Sequence, residues 1–202
     1  MYGLDAENWT EVAEEDAGDR AKLDPDYAKL FELGTAGEDL SETSVYHCTT
    51  VEAADSIMKT GFRFPVKGKT ENRGWKLGYA VYFGVNPDYC MHEALNTMRE
   101  EGPEPDPATL AMVKVAVKKG KFRALGGPYH SLRNECQWSQ GKWDELTEQL
   151  DSAIVGAYGY RTLTINEGTD QAEVVVYDNS AIGHMEILPA SMFLNKEPIA
   201  GA

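Results

Sequence analysis

A chain of 202 residues with 42% hydrophobic content is long enough for one domain, or one domain with an extension. No apolar run approaches the roughly 20 residues of a membrane span, and a net charge of −14 argues against general binding to nucleic-acid phosphates. The opening residues are acidic, without a basic-then-apolar leader, so a cytoplasmic protein is expected, with a delivered effector or toxin left open. Cys48, Cys90 and Cys136 are odd in number and widely spaced, which gives no disulfide framework. Cys90 and His92 lie two apart, but no second pair completes a site, so no metal is expected.

Residues 1–42 carry thirteen of the acids and three of the bases, a pattern of a solvated face. Within them Asp24-Pro25 starts a short helix, Tyr27, Leu30 and Phe31 form its apolar face, and Gly34 stops it. The helix is expected to be peripheral and to dock on the main domain. Ala36–Glu42 then reads as a linker. Ser44–Tyr46 is a short strand. Thr49 and Glu52 have capping-box spacing, and Val51, Ala54, Ile57 and Met58 line a helix that ends at Gly61. Phe62–Phe64 reads as a second strand.

Residues 65–78 form a long polar loop of the kind that covers or lines binding sites. Tyr79–Phe83 is strand-like. Asn86-Pro87 opens a helix that runs to about Arg99 and closes at Gly102. After a turn at 103–107, Thr109–Val117 is a strand, and Gly120, Gly126 and Gly127 interrupt the chain beyond it. Residues 128–142 look irregular, with His130, Cys136 and Trp138 expected to pack a loop. Trp143–Leu150 is a short helix, and Glu173–Tyr177 and His184–Leu188 are strands. Short strands with two clear helices and no regular alternation indicate an α+β fold on antiparallel sheets.

Three segments then align in order: Tyr46-His47-Cys48-Thr49; Gly78 to Phe83, with Tyr89 just beyond; and Gln171 to Asp178 around Glu173. Over about residues 43–190 they resemble the ADP-ribosyltransferases of the poly(ADP-ribose) polymerase and diphtheria-toxin type, marked by a His–Tyr–Glu triad on three separate strands. The helix after His47 ends in Gly61-Phe62-Arg63, similar to that family's G-L-R. The resemblance implies split antiparallel β-sheets flanked by helices. It implies a catalytic domain at 43–192; charge and local pattern set an acidic helical extension and linker at 1–42, which nothing in the family explains, and a tail at 193–202.

The implied activity is NAD-dependent mono-ADP-ribosyl transfer, a glycosyl (pentosyl) transfer with NAD+ as co-substrate and an acceptor macromolecule, a protein, as partner. Two alternatives stand beside it: an NAD glycohydrolase with water as acceptor, and an inactive pseudo-enzyme that binds NAD or ADP-ribose. Transfer of a phosphate from RNA to NAD is opposed by the acidic balance.

The chemistry sets its own requirements. Breaking the nicotinamide–ribose bond passes through an oxocarbenium-like state, so the site must clamp a flat cationic ring, orient a ribose and stabilise positive charge. The resemblance assigns catalysis to Glu173, His47 and Tyr82. Tyr82 and Tyr89 would hold the nicotinamide between rings. His47 would bond a ribose hydroxyl, and the backbone of Cys48, where the family usually has Gly, would meet the carboxamide. Arg63 would approach the diphosphate. Thr49 and Asn86 stand where the family has hydroxyl residues near the nucleotide, although each also suits a helix cap, and capping is the preferred role of both. Gln171, two residues before Glu173, is an acceptor-side candidate.

Overall fold

The computed structural model describes residues 24–32, 35–65, 77–102, 106–124 and 136–193. Gly34, residues 66–76, residues 103–105, Gly126, Gly127 and His130 lie outside them.

The first helix, α1 (Pro25–Glu32), forms as the sequence predicts. The Asp24 carboxylate accepts from the Asp26 amide at 2.9 Å. The helix docks firmly, with Leu30 fully buried and Phe31 nearly so. The Tyr27 hydroxyl donates to the Leu146 carbonyl at 3.2 Å, and the Phe31 ring stacks on Tyr158 at 4.5 Å.

The long strand β1 (Thr35–Thr50) follows. It takes in the expected short strand at 44–46, and it also takes in residues 36–42, which are strand and not linker. The cause is a partner that polar local sequence cannot announce. β3 (Leu110–Ala124) pairs along it from Thr35↔Ala124 to Thr50↔Leu110, with a register shift between Asp39 and Glu42. β1 therefore runs through the expected boundary at 42/43. Gly120, read as an interruption, sits inside β3 at φ +60°.

α2 (Val51–Thr60) begins one residue later than the capping-box reading placed it. Thr50, not Thr49, is the cap: its hydroxyl accepts from the Ala53 amide at 3.2 Å. Gly61 ends the helix at φ +76°. Phe62–Phe64 is irregular chain and not a strand, because Phe62 is buried as a core side chain without a strand partner. β2 is Val81–Gly84, and α3 spans Pro87–Glu101 with Asn86 as its cap, its Oδ1 accepting from the Asp88 amide at 2.9 Å.

Residues 128–135 of the segment expected to be irregular lie outside the described residues, and the expected helix at Trp143–Leu150 is α4 (Gln140–Thr147), which starts three residues earlier and takes in the end of that segment. Among the described residues one α-helix and one strand escaped the sequence reading: α5 (Ser152–Ala157), only six residues long and capped by Asp151, and the four-residue β4 (Thr162–Ile165). β5 (Glu173–Val176) and β6 (Ile182–Pro189) complete the set.

The fold is α+β, one connected sheet with flanking helices. Pairing passes from β1 to β2, β5, β4 and β3, and β3 returns to β1. β6 adds to β3 along Ala111–Val117. All pairs are antiparallel except β3–β4, parallel from Phe122↔Thr162 to Ala124↔Thr164. Alternation along the strands sorts side chains to two faces. Val81, Phe83, Val174 and Val176 join Val45, Val113, Val115, Ala54 and Phe62 in one core. Val175, Leu163 and Ile165 join α1, α4 and α5 in another, and Tyr82 packs against it. α3 covers a third cluster with Met112, Cys90 and Met91. Among the described residues no helix is long and apolar enough to cross a membrane.

Candidate active site

The β1–β2 pairing is a single step, Tyr46↔Gly84, after which the two strands part. His47 sits at this fork. Its Nδ1 lies 3.2 Å from the Tyr82 carbonyl. A carbonyl only accepts, so Nδ1 carries the proton, and Nε2 of the neutral ring is left as an acceptor. The ring packs edge-on to Phe62 at 5.4 Å and to Phe83 at 6.1 Å. Burial holds the imidazole pKa below its ordinary value, the bond to the Tyr82 carbonyl opposing this, and so favours the neutral form.

A cleft of about 650 Å³ opens beside it, between α2 and the start of β2. His47, Ile57, Thr60, Arg63, Phe64 and Tyr82 are among its lining. That size suits a nucleotide-sized ligand. Arg63 is exposed on the cleft wall.

Glu173 opens β5 beside Gly84 of β2, and Tyr82 stands opposite Val175. Residues two apart on a strand share a face, so Glu173 and Tyr82 project to the same side of the sheet. Tyr89, in the first turn of α3, reaches back, and its hydroxyl donates to Glu173 Oε1 at 3.5 Å. Burial, and then the Glu173 charge, push the Tyr89 phenol well above its ordinary pKa. Burial does the same for Tyr82. Both phenols stay protonated at physiological pH.

Gly84 leaves no room for a side chain unless Cys90 shifts. A Cβ there would stand 2.2 Å from Cys90 Sγ and 3.7 Å from the Tyr89 ring. The Cys90 thiol donates to the Tyr46 carbonyl at 3.4 Å, and burial lifts its pKa to about 12.

Of the predicted residues, the structure brings His47 to Tyr82 and Tyr89 to Glu173, with Arg63 on the same cleft as the first pair. The Cys48 side chain is not part of the cleft. It turns to the other face of β1 and its Sγ lies 3.7 Å from Met91 Sδ, burial lifting its pKa to about 11. Its backbone is extended and paired with Met112; among the described residues only Gln137 and Asn166 have positive φ outside glycine. Thr49 pairs with Ala111 as strand, and Asn86 is the cap of α3. Gln171 is exposed, on a turn where its amide donates to Thr169 Oγ1 at 3.2 Å. Cys136 is buried, and Trp138 packs 6.1 Å from Trp143. Leu77, Gly78 and Tyr177 hold Tyr82 in place; Gly78 and Tyr177 lie inside the motif segments, but the sequence assigns no role to any of the three.

No family model and no curated protein matches the chain. Among solved structures it is similar to the crystal structure of the M. tuberculosis MbcT–MbcA toxin–antitoxin complex. The identity is 11%, over 84% of this chain and 96% of that one, with a TM-score of 0.47.

Proposed function

We propose that the chain is an NAD-dependent mono-ADP-ribosyltransferase with a protein as acceptor. The observation that carries this reading is the pairing of contacts at one strand fork: Tyr89 on Glu173 at 3.5 Å, and His47 on the Tyr82 carbonyl at 3.2 Å. It joins the three separated motif segments at one end of β1, β2 and β5.

In this reading the nicotinamide lies against the Tyr82 and Tyr89 rings, whose faces favour a flat cation. His47 Nε2 accepts from a ribose hydroxyl, and Arg63 meets the diphosphate. The Cys90 thiol donates to the Tyr46 carbonyl just before the fork. The backbone of Cys48, two residues on, meets the carboxamide of nicotinamide with one donor and one acceptor. The glycosidic C–N bond breaks with its electron pair leaving on nicotinamide. Glu173 stabilises the oxocarbenium and takes the proton that the acceptor loses as its new bond to the ribose carbon forms.

The same geometry serves water as acceptor. Release of nicotinamide from NAD, with free ADP-ribose counted in parallel, tests both. Release that collapses in Glu173→Gln supports the site. Label on protein indicates the transferase, and free ADP-ribose in equal amount indicates a glycohydrolase. Binding of NAD with no release would leave the pseudo-enzyme reading, and neither binding nor release would overturn all three.

A further inference from the structure

The dipeptide Leu77–Gly78 is held from several directions. The Tyr177 hydroxyl donates to the Leu77 carbonyl. The Leu77 amide donates to the Tyr82 hydroxyl oxygen at 2.9 Å, and that hydroxyl donates on to the Gly78 carbonyl at 3.1 Å. The next amide, Tyr79, donates to the Leu150 carbonyl at 2.7 Å. Gly78 has φ +72°, and a Cβ on it would stand 2.1 Å from the Leu150 carbonyl oxygen. Only glycine lets the chain press this close to α4's following turn.

A phenol has one proton to give. Tyr82 gives its proton to Gly78 while accepting from Leu77, so both roles of the hydroxyl are taken by backbone. Its ring is then fixed at both ends, by β2 at Cα and by the dipeptide at Oη. Tyr177 is 3% exposed, so its bond to Leu77 has little water to compete with it. Tyr177 directly follows β5, the strand that Glu173 opens. The carboxylate therefore opens this strand and the anchor of the aromatic clamp directly follows its last residue.

We infer that Tyr177 is a positioning residue: acting through Leu77–Gly78 it fixes the Tyr82 ring for the nicotinamide, and Tyr82 works by its ring face and not by its hydroxyl. The role assigned to the ring rests on the transfer reading above. A ring already in place when the ligand arrives loses little freedom on binding, so the anchor acts on affinity more than on the chemical step.

The test compares wild type, Tyr177→Phe, Tyr82→Phe and the double variant. Three quantities are followed: hydrogen exchange of the Leu77 amide, and KM and kcat for nicotinamide release from NAD. Tyr177→Phe is expected to speed Leu77 exchange about tenfold, the effect of losing one buried hydrogen bond. KM should rise about fivefold with kcat within about twofold, the signature of lost binding. The double variant should be no worse in KM than Tyr82→Phe, because both changes cut one chain of bonds. The pH–rate profile of Tyr82→Phe should keep the wild-type shape. Unchanged Leu77 exchange in Tyr177→Phe, a fully additive double variant, or a pH limb lost in Tyr82→Phe would each overturn the inference. Tyr82→Phe reads the same amide from its other neighbour and keeps the test decisive where Tyr177→Phe does not fold. A wild-type protein that releases no nicotinamide overturns the transfer reading instead. The exchange comparison then judges the clamp by itself, raised exchange supporting it and unchanged exchange overturning it.

Discussion

Two aromatic clusters in this molecule are built on opposite plans. Under α1, Phe31 stacks on Tyr158 at 4.5 Å and 22°, and lies nearly parallel to Tyr160 at 5.8 Å and 15°. Arg123 sits 6.0 Å from the Tyr160 ring, and α1 closes the stack. At the strand fork, His47, Phe62 and Phe83 meet edge to face, and a cleft is left open beside them. In the first cluster flat faces are satisfied by the chain itself, so its rings serve stability. In the second the edges are used within the protein, while polar groups, His47 and Arg63, face the vacant volume. Ring content alone does not mark a site; what the faces and polar atoms are left to meet does.

The strongest way to break this contrast is at Glu173. Glu173→Gln keeps size and strand position but removes the charge, and nicotinamide release should fall by about 10²–10³-fold, the usual scale for losing one electrostatic stabiliser. The melting temperature should stay close to wild type. An equal loss of stability would show that the fork, like the α1 stack, is structural.

The converse holds at Leu30, the fully buried residue on the inner face of α1. Leu30→Ala should cost about 3 kcal/mol in denaturant unfolding, the transfer term plus a cavity. KM for NAD should not change under conditions where the protein is folded. A shift in KM would couple the two clusters and dissolve the contrast.

Gly84 tests how tightly the fork is packed. An added methyl would meet Cys90 Sγ, which the Tyr46 carbonyl holds in place. Gly84→Ala should lower stability by about 1–3 kcal/mol through overpacking and disturb the Tyr89–Glu173 contact. Adding Cys90→Ala makes room and should restore much of both. Failure of that rescue would locate the strain elsewhere.

A pH series sharpens the picture of His47. The folded ring resists a proton because its half-buried setting desolvates the charged form, whereas the unfolded chain takes one near pH 6.5. The unfolded state then binds more protons, so stability falls as pH drops through that value. His47→Gln, which cannot titrate, should show a flatter stability curve between about pH 7 and 5. Equal slopes in the two proteins would mean that His47 is not held neutral.

Much of this was legible in the sequence for identifiable reasons. Asn86-Pro87, Gly61 and the Tyr27–Leu30–Phe31 stripe carry their information locally, in cap chemistry and helical spacing. The run EVVVY and the three motif segments placed Glu173, Tyr82 and His47 on strands whose ends meet. What stayed hidden depends on partners distant in sequence. Residues 36–42 look like polar linker, yet β3 makes them strand. β4 is four residues long, and all four are buried by neighbours that no local pattern names. The clamp on Leu77–Gly78 is built from backbone atoms and two hydroxyls, one of them about 100 residues away, as the separation of Tyr177 from Leu77 shows.

The smallest expected effect concerns the wall of the cleft. Thr49 and Thr50 are adjacent and chemically identical, and capping-box spacing favours Thr49. The structure gives the cap to Thr50, whose hydroxyl meets the Ala53 amide, while Thr49 remains strand opposite Ala111. Thr50→Ala should therefore lower stability by about 1 kcal/mol. Thr49→Ala should stay within about 0.5 kcal/mol of wild type. Because α2 lines the cleft from Ala53 to Thr60, fraying of its first turn should also raise KM for NAD slightly in Thr50→Ala and not in Thr49→Ala. Reversed effects in the two variants would shift the start of α2 by one residue, and with it every side chain that this helix turns toward His47.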